Sequence, residues 1–255
     1  MSILSVKNLN FEYQSKEGIT KAISDLSFSI SKGEFVGIVG PSGCGKTTLL
    51  NLFANIISPT SGEITLYDKP ISSEKEKIAL MPQRDQLFEW RNIEKNIMLG
   101  LEINKKKNTK ENRLFGLSLL QKYGLEGFTK KHPSELSGGM RQRVALIRTL
   151  VTQPDILLLD EPFSALDFQT RLNVCNDVYS IIKEEKKTAI LVSHDINESI
   201  SLCDKIVILS SRPAQLKAII NIEIDKKLTP LKRRENELFP RYFEKIWKII
   251  EEKEQ

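Results

Sequence analysis

Gly40-Pro41-Ser42-Gly43-Cys44-Gly45-Lys46-Thr47 stands between a β-like run, residues 34–39, and a segment where Leu49, Leu50, Leu52, Phe53 and Ile56 recur at helical spacing. Pro59 and Gly62 stop that helix. The octapeptide fits G-x-x-x-x-G-K-[ST] in the required strand-loop-helix context. Its glycines let backbone N–H groups wrap a phosphate without Cβ clashes, and the following helix adds the positive end of its dipole. The whole loop, Gly40 through Thr48, is therefore a candidate nucleotide cradle. Lys46 would reach the β- and γ-phosphates as a point charge, and the Thr47 hydroxyl would sit on Mg²⁺.

A second element supports this reading. Residues 156–159, Ile-Leu-Leu-Leu, form an apolar run of strand length that ends in Asp160 and Glu161. In parallel α/β sheets ligands sit beyond the carboxyl ends of strands, so Asp160 can complete a Mg²⁺ shell beside the nucleotide. Glu161, next to the metal ligand, can orient and polarise an attacking water, the general-base part of γ-phosphate hydrolysis.

Around these elements the chain divides by pattern. Residues 2–39 read as short β runs, 3–9, 27–30 and 34–39. Residues 92–150 read mostly helical, with Lys105, Lys106, Lys107 and Lys110 as a solvated loop. From Pro154 onward strands at 156–160, 188–193 and 206–210 alternate with helices at 167–183 and 196–203, which predicts a parallel sheet. A β-like run at 218–224 follows, and the last helix carries Phe243, Ile246, Trp247 and Ile250 on one face, a stripe that reads as core-facing.

Composition limits the alternatives. In 255 residues, 38 Lys plus Arg against 33 Asp plus Glu give a net charge of +5, and 40% hydrophobic with 28% charged residues is ordinary globular usage. That excludes a disordered or fibrous chain. The apolar runs fall well short of the roughly 18 residues needed to cross a bilayer. Residues 1–10 carry neither a basic lead nor an apolar stretch of signal-peptide length, so a cytoplasmic chain is expected. Three widely spaced cysteines, Cys44, Cys175 and Cys203, argue for reduced thiols over a disulfide framework or a zinc cage.

Between the two site elements lies Leu136-Ser137-Gly138-Gly139-Met140-Arg141-Gln142. Ser137 with Gly138 and Gly139 opens a helix, giving a second anion-binding N-terminus. This stretch closely resembles the ABC signature motif, and the chain resembles an ABC-transporter ATP-binding subunit from about residue 2 to residue 212. The resemblance implies an α/β fold: a P-loop NTPase core with a parallel sheet, an antiparallel β subdomain and a helical signature lobe. It implies a cassette over residues 1–212, with the lobe at about 88–152 inserted, and a C-terminal extension over 213–255. ATP and Mg²⁺ are the implied cofactors, with ATP hydrolysis the implied activity. In the family the signature residues, here Ser137, Gly138, Gly139 and Met140, contact the nucleotide of the opposite subunit, so a homodimer of cassettes in the ATP-bound state is expected.

Further positions match in order. Tyr13 resembles the aromatic that stacks on adenine, although a core-packed strand aromatic is the other reading. Gln83, in Met81-Pro82-Gln83, resembles the Q-loop glutamine that touches Mg²⁺ or water and links the site to the helical lobe. Ser164-Ala165-Leu166-Asp167 resembles the D-loop, with Asp167 also a candidate helix cap. His194 resembles the switch histidine at the γ-phosphate, where it can donate to developing charge.

Leu87-Phe88-Glu89-Trp90-Arg91-Asn92-Ile93 resembles the region where such cassettes receive the coupling helix of a membrane subunit. Trp90 is either an exposed anchor there or a buried tryptophan. With Met140 and Ser210-Ser211-Arg212-Pro213, the Leu-x-x-x-Trp-Arg run resembles the nitrate, sulfonate and taurine importer branch, although Glu89 stands where many relatives carry proline. The resemblance implies integral membrane permease partners, an extracytoplasmic substrate-binding protein engaged indirectly, no nucleic acid, and a peripheral position on the cytoplasmic face of the membrane. The same ATPase role with another cargo, or a non-transport ABC ATPase acting on DNA or ribosomes, are the alternatives. Lys226, Lys227, Lys232, Arg233 and Arg234 read as a solvated basic face rather than one lying on anionic lipid.

Overall fold

The computed structural model describes residues 2–16 and 18–252, Lys106 by its backbone alone. Strands β1 (Ser2–Ser15), β2 (Gly18–Ser31) and β3 (Phe35–Val39) lead into α1 (Lys46–Phe53). Then come β4 (Ser61–Leu66), β5 (Lys69–Pro70) and β6 (Ile78–Met81). Three helices follow, α2 (Ile93–Ile103), α3 (Lys110–Lys122) and α4 (Gly138–Leu150). The alternating part is β7 (Ile156–Asp160), α5 (Phe168–Glu184), β8 (Thr188–Val192), α6 (Ile196–Leu202) and β9 (Lys205–Leu209). The chain closes with β10 (Leu216–Asn221), α7 (Pro230–Arg234) and α8 (Leu238–Glu251).

Two sheets result. A four-stranded antiparallel sheet has the order β2-β1-β4-β5, and a six-stranded sheet has the order β10-β9-β3-β8-β7-β6. In the second, β9, β3, β8, β7 and β6 are mutually parallel and β10 adds an antiparallel edge. Side chains alternate across this sheet. Val39, Leu157, Leu159, Leu191 and Ile208 face one core with the helices, while Ile38, Ile156, Leu158, Ile190 and Val207 face another with α1 and the antiparallel sheet. Coverage of both faces explains why β7 and β8 are uninterrupted apolar runs.

The opening strands are longer than the short runs expected. β1 and β2 have 14 residues each and stay paired by shifting register, as between Val6 and Leu9. Asn8 and Asp25 take the left-handed conformation at these irregularities, φ 44° and 47°, and the Asn8 amide donates to the Asp25 carboxylate at 2.9 Å. Short polar side chains tolerate that region, so both residues sit at bulges within one continuous ribbon.

Each lobe helix begins at a cap: Asn92, Thr109 and Ser137 accept from Lys95, Asn112 and Met140 backbone N–H groups. The lysine run before α3 is not wholly solvated. Lys107 donates its ammonium to the carbonyls of Glu76 at 2.6 Å and Thr152 at 2.7 Å, tying the lobe to the segments that lead into β6 and β7, and desolvation lowers its pKa.

In the basic tail Lys226, Lys227 and Lys232 are exposed, as a solvated face requires, and Arg233 departs from that reading. Arg233 is fully buried and donates to the carbonyls of Ser201 at 3.0 Å and Cys203 at 2.9 Å, which closes the end of α6. Lys226 bridges Asp204 at 3.3 Å. On α8, Ile246 is buried and Phe243 and Ile250 pack on the core, while Trp247 stays about half exposed against Phe243. All three cysteines are free and buried.

Arg233→Ala should destabilise the fold by about 3 kcal/mol in urea unfolding, because two buried carbonyls lose their donor and a cavity opens. A loss within about 0.5 kcal/mol, the range of ordinary surface changes, would return Arg233 to the solvated face.

Candidate nucleotide-binding and hydrolysis site

The parallel sheet brings the site together. Val192 of β8 lies opposite Ile38 of β3 on one side and Asp160 of β7 on the other. The loops that leave these strands at one level are Gly40 to Thr48, Glu161 to Asp167 and Ser193 to His194. They meet at the carboxyl edge of the sheet, where ligands of such folds bind.

The first loop is folded into a cradle. Gly45 sits at φ +123°, and a Cβ there would lie 3.0 Å from the carbonyl of Ala22, so the turn into α1 requires glycine. Lys46 is 7% exposed, and its ammonium donates to the carbonyls of Gly40 at 2.8 Å and Pro41 at 2.9 Å. The loop's own oxygens thus hold the charge over the cradle, and phosphate oxygens can take their place. The Cys44 thiol is 1% exposed and burial pushes its pKa up, so Cys44 supplies backbone to the loop rather than a nucleophile. Thr48 is buried, and its hydroxyl lies 3.0 Å from the Tyr13 hydroxyl. Tyr13 is 43% exposed and edge-on to Phe11, so of its two readings the core-packed one does not hold.

A cleft of about 420 Å³ opens over the cradle. Ser42, Gly43, Gly45, Lys46, Thr47 and Thr48 line it from the first loop, with Glu161, His194 and Arg212 from elsewhere. Gln83, Ser164 and His194 converge on the Glu161 residue. Its carboxylate Oε2 lies 3.3 Å from Gln83 Nε2 and 3.1 Å from His194 Nδ1, while the Ser164 hydroxyl donates to its carbonyl at 3.0 Å. Glu161 itself is held at φ +43° by its N–H bond to the carbonyl of Val192, 2.9 Å. A left-handed glutamate costs energy, and the surrounding bonds over-determine it, which is a feature of functional sites.

Asp160 lies beside the Thr47 hydroxyl, and its pKa is raised, first by desolvation and then by the neighbouring Glu161 charge, with Thr47 and Lys46 opposing the shift. Thr47 and Asp160 offer hard oxygen donors, and a cation would relieve the repulsion between the two acids, so the pair fits Mg²⁺. Among the described residues no cluster of three His, Cys, Asp or Glu could hold a metal alone. Mg²⁺ would therefore share its shell with phosphate oxygens and water, as this ion prefers. Gln83 is engaged with Glu161 and Ser164 rather than with Thr47 or Asp160.

The signature residues do not line this cleft. Ser137 caps α4, with Ser137 and Gly138 exposed, and Met140 packs on the core. Gly139 is buried, and a Cβ there would come within 2.9 Å of Val174 on α5, so the second glycine is a condition of helix packing. Asp167 is exposed and caps α5 by accepting from Thr170 N–H at 3.0 Å. Trp90 is 76% exposed and stacks on Phe88 at 4.6 Å. It stands beside an apolar groove of about 520 Å³ lined by Leu80, Pro82, Phe88, Leu99 and Ile103 among others.

Residues outside the sequence-derived set also shape the site. Arg141 forks onto Asp85 at 2.8 and 3.1 Å and reaches Glu89 at 2.9 Å. Arg148 donates to the carbonyls of Asp85 and Gln86 at 2.6 and 2.8 Å. The loop after Gln83 is thus clamped to the signature helix. Their spacing of two helical turns was a visible sign that both arginines share one face of α4. Arg212 comes to the cleft by chain folding alone.

Asp160→Asn should raise the Tm of the nucleotide-free protein at neutral pH by about 2 °C, since it removes one of two crowded charges. The gain should vanish as pH falls through the raised titration range of Asp160, where protonation gives the same relief. A lower Tm in the variant would show that the charge is not a cost to the fold.

Residues 23–164 match the ABC transporter family (ABC_tran). The uncharacterized ABC transporter ATP-binding protein YtlC of Bacillus subtilis is 43% identical over 98% of this chain and 96% of its own length. The taurine import ATP-binding protein TauB of Pelagibacter ubique is 37% identical over 99% of this chain and 98% of its own. Among solved structures, the ATP-binding cassette MJ0796, a dimeric post-hydrolysis state bound to ADP and Pi, superimposes with a TM-score of 0.71. That structure is 28% identical and covers 87% of this chain and 100% of its own. Sequence and fold agree over nearly the whole length, and this chain belongs to the ATP-binding subunits of ABC transporters.

Proposed function

We propose that this subunit binds Mg²⁺-ATP in the 420 Å³ cleft, hydrolyses it there, and drives a small anion such as nitrate, an aliphatic sulfonate or taurine inward through separate permease subunits. The convergence of Gln83, Ser164 and His194 on Glu161 carries the catalytic part of this reading. The cargo class is supported by the full-length similarity to a taurine import ATP-binding protein and to an aliphatic sulfonates import ATP-binding protein.

In this reading the chain's residues position and stabilise. Tyr13 offers a ring face to the base, and the Gly40–Thr48 backbone surrounds the phosphates. Lys46 exchanges its two carbonyl partners for phosphate oxygens. Thr47 and Asp160 would hold Mg²⁺, which when bound neutralises phosphate charge. Glu161 accepts the proton of the attacking water, and His194, 3.1 Å away, fixes the carboxylate and faces the γ-phosphate. Gln83 stands between Glu161 and the loop clamped to α4, so a change at the nucleotide reaches the helical lobe through Asp85, Arg141 and Arg148.

Ser137 and Gly138 are exposed away from their own cleft, so they would complete the site of a second copy, with Asp167 at the same junction. The domain reading is a cassette over 1–212, its lobe at 88–152, and an extension over 213–255. Trp90 and the adjoining groove suit a permease helix, with the extracytoplasmic binding protein coupled only through that permease. Among the described residues no helix is long and apolar enough to cross a membrane, which fits a subunit held peripherally at its cytoplasmic face.

Glu161→Gln should keep ATP affinity close to wild type, slow hydrolysis by about 100-fold or more, and yield an ATP-dependent dimer in gel filtration. Wild-type turnover in that variant would remove Glu161 as the base. Recovered from membranes with ATP, the tagged variant should bring a polytopic permease, whereas soluble nucleoprotein alone would overturn the transport reading. Trp90→Ala should leave the isolated subunit's ATPase rate unchanged and lower the permease-stimulated rate several-fold. Undiminished stimulation would remove Trp90 from the docking surface.

A further inference from the structure

Arg212 stands in the turn between β9 and β10 and lines the cleft together with Lys46, Thr47 and His194. Among the described hydrogen bonds, ion pairs and ring contacts, none takes up its guanidinium. The other arginines that touch site loops, Arg141, Arg148 and Arg171, are all bonded to carboxylates or carbonyls.

The turn that carries Arg212 is rigid and built onto the phosphate loop. Ser210 N–H donates to the carbonyl of Gln215 at 2.9 Å, and Gln215 N–H returns to the Ser210 hydroxyl at 2.8 Å. Ala214, fully buried, is pinned between strands: its N–H donates to the carbonyl of Ala22 at 2.9 Å, and Ser24 N–H donates to its own carbonyl at 3.0 Å. A Cβ on Gly45 would lie 3.5 Å from the Cβ of Ala214, so the turn abuts the cradle directly. The arginine is two residues from this contact.

We propose that Arg212 is a second phosphate-binding cation, which engages the nucleotide's phosphate chain in its own protomer beside the backbone cradle. The proposal rests on the reading of the cleft as the nucleotide site and adds a residue to it. The chemistry favours this ligand. Lys46 is a single ammonium already enclosed by the loop, whereas Glu161 places a carboxylate on the same cleft, so a multiply charged phosphate chain leaves negative charge to neutralise. A planar guanidinium with a fork of donors matches two phosphate oxygens at once, and a rigid turn limits the entropy lost on binding. Because Arg212 is solvent-exposed and has no ion pair among the described residues, it serves neither core packing nor an internal salt bridge.

The test is equilibrium binding of ADP, ATP and adenosine to the full-length protein with Mg²⁺, for wild type, Arg212→Ala, Arg212→Lys and Lys46→Ala. ADP is included because it reports the phosphate contact without hydrolysis or dimer closure. Arg212→Ala should weaken ADP and ATP by about tenfold, with Arg212→Lys in between, adenosine unchanged, and the loss smaller at high salt. If Arg212→Ala binds ADP as wild type does while Lys46→Ala loses binding, the arginine has another partner, such as a carboxylate across the dimer, and the proposal falls. Equal weakening of adenosine would also overturn it, since the effect would then be structural. If Lys46→Ala also leaves ADP binding intact, the reading of the cleft fails first, and the two failures are thereby told apart.

Discussion

Val192 pairs with Ile38 on one edge and with Asp160 on the other, and through that pairing β8 holds the cradle loop and the acidic loop at one height. The Glu161 N–H reaches across to the carbonyl of Val192, which turns the glutamate's backbone left-handed and aims its carboxylate over the cleft. The Gln83, Ser164 and His194 contacts all presuppose that position. A parallel sheet buried on both faces makes the pairing rigid, because neither core tolerates a slip that would turn apolar side chains to the wrong side.

Electrostatically the cleft is prepared for a polyanion with its cation. Lys46 is desolvated among carbonyls, and Asp160 is crowded by Glu161 and by burial. Each feature costs stability in isolation, and a phosphate chain with a bound cation would relieve both. Such preorganisation stabilises charge without reorganisation at the moment of reaction, which is how phosphoryl chemistry is accelerated when the protein supplies little covalent work. Arg212 belongs to the same logic, an arginine set free at the cleft while its neighbours are tied down.

The site is also connected outward in two directions. Arg141 and Arg148 attach the loop after Gln83 to α4, whose first turn carries Ser137 and Gly138. At the other end, Arg233 of the C-terminal segment closes α6, the helix that starts at Asp195 beside His194. The extension is therefore part of the structure under His194 rather than an appendage. Glu89 joins the same clamp, accepting from Arg141 at 2.9 Å.

What the sequence by itself determined were the features with a local physical cause. The phosphate loop follows from glycines that a tight backbone turn demands, β7 from an apolar run closed by two acids, and two helix starts from Ser137 and Asp167 as caps. These depend on residues within a few positions of one another. Tertiary structure alone decided what depends on distant partners: that β1 and β2 run on as one ribbon with bulges at Asn8 and Asp25, that Lys107 and Arg233 leave solvent for carbonyls far along the chain, that Trp90 is exposed, and that Arg212 enters the cleft. A charged side chain's worth depends on whether carbonyls, carboxylates or water surround it. Those surroundings exist only after residues many positions apart have packed together, so no local pattern carries them.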